Sequence, residues 1–516
     1  MGKFRLHTTL RHVFGILGLA LVGANSCVGF VLSFPSSSSS SSFSSPLLRQ
    51  RPLRSSRTRS FLPTKTSTHT NENGDGTYIH LDHIERVLCI SDLHTDHAEN
   101  MQWLANHTSH YGPCDNNNNK HDDYNEDGSI RLTPSDLIVV AGDISHDMDR
   151  IEQSLMYLLQ TGASVMFVAG NHEAWLHSSE LNPHHHHHNN NDNTTTSTTT
   201  HSNNTQEALT SSAGMSSLDK LSRVYQTCRE LGVYTQTCLK VGGTGDSRRR
   251  RRSLWVVPLE SWYDGSLSLM ECDDLCSDFG KWPWVDFLKC KWPGYDSMPF
   301  PNQRIPQGLA QYFATLNQPL LDQLAQWIGN DKNNINGDNN NDDEEDVTIM
   351  TVSHFLPNQQ CLPDWRDSHS SIFQKDEWLN HGGGGISAKF AKVAGTTLLD
   401  KQIRNLLPQS LSSSTLRRLH VFGHSHRPKD FEWKGIRYIH NPLGKPRERE
   451  IYMVSPRVDF QEVWTRTEGE IQGLQIIRYW EEQGGGVDAL ILRMNESKKK
   501  SRYGALAPSS STSNDS

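Results

Sequence analysis

The chain has 516 residues, a formal net charge of -8, and 35% hydrophobic against 21% charged residues. Length alone would allow two or three domains, but much of the chain is too biased in composition to bury a core, so one large domain with decorated loops is expected. The first 71 residues carry nine Lys or Arg and no acid, which leaves 41 basic against 58 acidic residues beyond them. A surface at about -17 repels a nucleic-acid backbone, which sets aside general binding of long DNA or RNA.

Lys3, Arg5 and Arg11 precede an apolar run over 13–22 and then the small residues Gly23, Ala24 and Ser26. That order is the order of a signal peptide, and the run is short for a membrane span, so no stable transmembrane segment is expected in the mature chain. Residues 30–75 are rich in Ser and Arg, as a transit segment is. Together, a signal-peptide-like leader over 1–29 and a disordered transit-like segment over 30–75 resemble the bipartite plastid leaders of algae with complex plastids. Plastid delivery is therefore the expected localisation, with secretion or a membrane-anchored stalk as the alternative.

From residue 84 the pattern changes to short apolar, β-branched runs at 86–90, 137–141, 164–169, 254–258, 347–352 and 419–422. Their length and content predict buried strands. Asp96 with Glu99 reads as a capping box that opens a helix through Trp103 and Leu104. Ile151, Leu155, Leu158 and Leu159 form one amphipathic stripe; Leu218, Leu221, Val224, Tyr225, Cys228 and Leu231 form another. A hairpin is expected over 431–440, turning at Lys434-Gly435. The expected fold class is α/β: two packed mixed β-sheets flanked by helices, an α-β-β-α sandwich with a metal site at the strand ends.

Low-complexity inserts are read at about 115–130, 182–212, 246–252 and 330–346 within a domain spanning 80–482, with a disordered tail over 497–516. The run of five histidines at 184–188 reads as repeat drift, and the arginine run at 248–252 as a solvated loop. Nine scattered cysteines show no CxxC pair and read as ordinary thiols.

Chemistry concentrates in Asp92-Leu93-His94, Gly142-Asp143, Gly170-Asn171-His172-Glu173, His354 and Gly423-His424-Ser425-His426. Each motif is weak singly. In this order, with most directly following a strand-like run, they bring enough oxygen and imidazole donors to hold two metal ions side by side.

This series resembles the calcineurin-like metallophosphoesterase superfamily, whose motifs are DxH, GD, GNH(D/E), H and GHxH, and Asn441-Pro442-Leu443-Gly444 is similar to the turn that closes that domain. The resemblance covers roughly 86–444. It implies one metal held by Asp92, His94, Asp143 and His426, and a second by Asp143, Asn171, His354 and His424. Two divalent ions, Mn, Fe or Zn, would then cut a phosphomonoester or phosphodiester by attack of a metal-bridging hydroxide. His172 is implied as the catalytic residue that contacts phosphate and protonates the leaving oxygen. Glu173 would orient that ring, or be a solvent-facing acid or helix cap. Arg427 is a candidate substrate clamp.

Thr95 and the run 144–148 depart from the protein-phosphatase pattern, and His146 stands where purple acid phosphatases place a Tyr ligand. A phosphorylated small molecule is the expected partner. Tryptophans 255, 262, 282, 284, 292 and 365 would stack on it or pack a lid. The alternatives are a non-catalytic metal-binding scaffold of the same fold and a nuclease.

Overall fold

A computed structural model describes residues 66–70, 77–109, 125, 128–181, 214–242, 252–335, 346–363, 365–366, 385–406, 416–467, 473 and 475–504. The leader over 1–29, most of 30–75, the histidine run, the arginines 248–251 and most of each insert lie outside these residues. In chain order the strands are β1 (Thr66–Thr70), β2 (Thr77–Leu81), β3 (Arg86–Ile90), β4 (Asp136–Ala141), β5 (Ser164–Val168), β6 (Leu239–Gly242), β7 (Arg252–Pro258), β8 (Asp346–Val352), β9 (Leu416–Val421), β10 (Lys429–Trp433), β11 (Ile436–His440) and β12 (Gln461–Thr465). The main helices are α1 (Ala98–Thr108), α2 (Met148–Gln160), α3 (Ser217–Leu231), α4 (Leu309–Ile335), α5 (Ile386–Val393), α6 (Thr397–Asn405), α7 (Pro446–Glu450) and α8 (Gly486–Gly504).

Two mixed sheets form, one of eight strands in the order β1-β2-β6-β7-β8-β9-β11-β10 and one of four in the order β12-β3-β4-β5. Within the small sheet β3, β4 and β5 run parallel; within the large sheet β7, β8, β9 and β11 do. Alternation along each strand decides which side chains meet. Val87, Cys89, Leu137, Val139, Met166 and Val168 from one sheet pack against Leu254, Val256, Met350, Val352, Leu419 and Val421 from the other. Intervening residues such as Leu88, Ile90, Ile138, Val140 and Phe167 face Ile151, Leu155, Leu158, Leu221 and Val224 of the helical layer. Each such aliphatic side chain contributes about 1.5–3 kcal/mol by leaving water. The expected layering, strands and helical stripes are thereby observed, and the two sheets bring the C-terminal ends of β3, β4, β5, β8 and β9 to one side.

The expected hairpin turns at Lys434 and Gly435, with φ of 50° and 72°, the left-handed pair that a two-residue turn demands. Among the elements, α1, β1 and α8 differ from the sequence reading. Helix α1 has no side-chain cap, because Asp96 instead accepts a hydrogen bond from the Ser145 hydroxyl at 2.6 Å. Strand β1 forms within the segment read as disordered, pairing antiparallel with β2. Helix α8 lies beyond 482 and runs into the tail, and its Leu490 and Met494 bury against Ile451, Met453 and Tyr479. Among the described residues no helix is long and apolar enough to cross a membrane.

Candidate metal centre

Three glycines make the site possible. A Cβ on Gly142 would meet His354 Nδ1 at 2.4 Å, and one on Gly170 would meet Asp143 Oδ1 at 2.3 Å. On Gly423 it would meet the Ala141 carbonyl at 2.6 Å and His354 Nδ1 at 2.8 Å. The motifs need glycine because candidate ligands occupy the space a side chain would take. The backbone is also bent toward the site: Asp92, His94, Asp143, His424 and His426 all have positive φ, between 43° and 72°. For residues other than glycine this costs on the order of 1–3 kcal/mol each, a strain that concentrates at functional sites.

Two donor groups result. Asp92, His94, Asp143 and His426 present ligand atoms within 4.8 Å of one another, and so do Asp143, His354 and His424. Asp143 belongs to both. Asn171 joins the second group, its Oδ1 lying 3.1 Å from His354 Nε2 and 3.0 Å from His424 Nδ1. His94 Nε2 and His426 Nε2 approach to 2.7 Å, and His426 Nε2 lies 3.5 Å from Asp92 Oδ1. All seven expected ligands are therefore brought together.

For His354, His424 and His426 the opposite ring nitrogen shows which atom the imidazole would offer. His354 donates Nδ1–H to the Ala141 carbonyl at 3.0 Å, His424 its Nε2–H to the Val393 carbonyl at 3.0 Å, and His426 its Nδ1–H to Glu448 at 2.9 Å. Each leaves the inward nitrogen as a lone-pair donor, the arrangement that metal-binding histidines require. Burial holds His94, His424 and His172 well below the usual imidazole range and His354 at about 4, so the rings are neutral near pH 7. Burial pushes the Asp143 carboxyl well above its ordinary range, and the neighbouring Glu173 and Asp92 carboxylates push it further. For Asp92 the upward push of burial is outweighed by the His440 hydrogen bond and the His426 imidazole, which hold it well below that range. A shared carboxylate among imidazole nitrogens, with one amide oxygen, is a donor set that fits two divalent metal ions.

His172 sits beside this centre, with its Nε2 3.7 Å from Asp143 Oδ2 and its ring stacked on Trp175 at 3.6 Å. Glu173 does neither of the things expected of it. Fully buried, it accepts backbone N–H bonds from Gly170, Asp143, Ile144 and Ser145 at 2.6–3.2 Å, tying the GD loop to the GNH loop. Burial pushes its carboxyl up to about 7 against those four bonds, which favour the anion. Arg427 is buried, its guanidinium donating to the His426 carbonyl at 2.9 Å and to the Met453 sulfur at 3.6 Å. Trp255, Trp262 and Trp282 are buried in the core, while Trp284 reaches His424, with ring centroids 6.0 Å apart.

Three supporting residues escaped the motif reading. Asp286 accepts from the Asn171 amide at 2.8 Å and from the indoles of Trp175 and Trp284 at 2.6 and 2.8 Å, which turns the Asn171 oxygen inward. Glu448 holds His426, and His440 donates to Asp92 Oδ2 at 3.0 Å. The aromatic setting of Asp286, between Trp284 and the segment before Trp292, was its one visible signal. The closing turn behaves as the motif suggested: Leu443 and Gly444 donate to the carbonyls of Ser91 and Asp92, locking the first motif to the last.

Residues 85–239 match the family described as calcineurin-like phosphoesterase. Among solved structures the chain is similar to a phosphopantetheinyl hydrolase from Mycobacterium tuberculosis, at 18% identity and a TM-score of 0.43, covering 76% of this chain and 100% of that one. It is also similar to a dimetal phosphatase from Danio rerio, at 12% identity and a TM-score of 0.32, covering 75% of this chain and 94% of that one. No curated protein matches the chain. The matched stretch contributes Asp92, His94, Asp143 and Asn171; His354, His424 and His426 lie beyond it, on the ends of β8 and β9, and converge on the same centre. On that match and that convergence, the chain is similar to the calcineurin-like phosphoesterase family over residues 85–239, and the donors beyond that stretch gather at the same centre.

Proposed function

We propose that the protein hydrolyses a phosphomonoester or phosphodiester at a two-metal centre, with Asp92, His94, Asp143 and His426 holding one ion and Asp143, Asn171, His354 and His424 the other. The observation that supports this best is Asp143, a buried carboxylate common to both donor groups, with His172 next to it. Two bound divalent ions supply Lewis-acid chemistry: they lower the pKa of a water and offset charge on the phosphoryl oxygens.

The chain's own part is positional and protonic. Asp143 sets the spacing of the two groups, and Glu173 fixes the loops that carry Asp143 and Asn171. Asp286 keeps the Asn171 oxygen turned inward. His172, pinned by Trp175, holds its Nε2 beside the centre, where an arriving phosphate anion favours the protonated ring and the leaving oxygen takes that proton. A substrate small enough to reach a centre set among buried side chains agrees with the acidic balance in disfavouring long nucleic acid.

The full-length chain in manganese is expected to hydrolyse an aryl phosphodiester or monoester, the two run side by side to decide between ester classes. Asp143→Asn and His172→Ala should each lower kcat/KM by about a hundredfold or more. Variants that turn over as fast as the native chain would show that this centre is not where the chemistry happens.

A further inference from the structure

We propose that Asp96, His146 and His172 form a third metal site, for a borderline divalent cation such as zinc, beside the two-ion centre. One ligand atom from each lies within 4.8 Å of the others. His146 Nδ1 lies 3.1 Å from Asp96 Oδ1, which already draws these two donors together, and Nδ1 of His172 is buried without a hydrogen-bond partner among the described residues. His172 is more than nine-tenths buried, so an unpartnered nitrogen there is costly unless something occupies it.

Two imidazoles and one carboxylate are a set that zinc takes with water in the remaining position. Each ligand is held. The Ser145 hydroxyl donates to Asp96 at 2.6 Å, Trp175 stacks on His172, and Lys220 Nζ donates to the His146 carbonyl at 2.8 Å. Lys220 is already occupied, since it also binds the Trp175 carbonyl and lies 3.2 Å from Glu180 Oε2. Asp96 opens to solvent and gives an ion its way in.

The consequence is inhibition: an ion seated here takes the His172 ring out of proton transfer, so excess zinc slows turnover. This consequence rests on the role proposed above for His172, whereas the binding does not.

The test uses the full-length chain loaded with manganese and titrated with zinc, comparing the native protein with Asp96→Asn and His146→Gln. Equilibrium dialysis counts zinc bound, and cobalt in place of zinc gives a visible absorption band for the same site. Each variant is expected to bind one equivalent fewer than the native chain and to lose the corresponding band; the histidine run at 184–188 contributes equally to all three. The zinc needed for half inhibition should rise about tenfold or more in both variants. Asp143→Asn reports separately on the two-ion centre, so failure of that reading appears in its own variant. Equal zinc binding and equal bands in the native chain and both variants would overturn the third site.

Discussion

At the scale of single residues the centre depends on atoms that are missing as much as on those present. Gly170→Ala places a methyl group against Asp143 Oδ1 and the Asp143 backbone nitrogen, so the ligand must move. The expected outcome is a folded chain that retains less than half of its bound metal, read by elemental analysis after gel filtration. Gly232→Ala is the contrast: it also has positive φ, at 79°, but nothing lies within 4 Å of the added carbon. That change at the α3 C-cap should cost about 1 kcal/mol in urea unfolding and leave metal content intact. Equal metal loss in the two would remove the steric argument. The candidate ligands were legible because the motifs state residue type and spacing together. Asp286, Glu448 and His440 were not, since each reaches its partner from outside the motifs, and only the folded chain shows which candidate ligand each one touches. Asp286→Ala is expected to weaken binding of the ion held by Asn171 by about 10–100-fold, measured by competition with a chelator, with the overall fold retained.

Among the elements, legibility followed burial. Strands β3, β4 and β5 are buried along their whole length, and β7, β8 and β9 over their C-terminal parts, and each was readable from those stretches. Strands β2 and β12, with the sequences TYIHL and QEVWT, hold strand-favouring residues but are interrupted by polar ones, so no apolar run marks them. Helix α4 contains Pro319, which reads as a break, yet the helix continues through it from Leu309 to Ile335. The expected cap of α1 failed for a different reason: local pattern promised Asp96 to the helix, and tertiary structure gave it to Ser145 and His146. The β10–β11 turn is the clearest agreement, and it carries a prediction. Lys434 holds φ of 50° where asparagine and glycine are favoured, so Lys434→Asn should raise stability by about 0.5–1 kcal/mol, detected as a higher urea midpoint. An unchanged or lower midpoint would mean that contacts made by the Lys434 side chain, such as its approach to the Trp433 ring, outweigh the backbone term.

For the whole molecule, the buried imidazoles make acid stability a property of the fold as well as of the metal centre. His420 lies fully buried on β9, bonded to the hydroxyls of Thr351 at 2.8 Å and Ser353 at 3.2 Å. Neither partner carries charge, so nothing there compensates a proton, and burial holds its pKa at about 3. In the unfolded chain the same ring titrates near 6.5. The folded value is the lower one, so stability from the neutral ring is fully present above about pH 6.5 and is lost as pH falls toward 3. The loss is at most about 1.4 kcal/mol per pH unit for this one proton. Replacing it by His420→Gln removes the titration while keeping an amide to bond the two hydroxyls. The variant should start less stable at pH 7 and then lose stability less steeply between pH 6 and 4, measured by urea unfolding at each pH. Because His420 is not a candidate ligand, the difference in slope should persist after metal is stripped by a chelator. Parallel curves for the native chain and the variant would show that the folded core accepts this proton after all, through solvent reaching the space between β8 and β9.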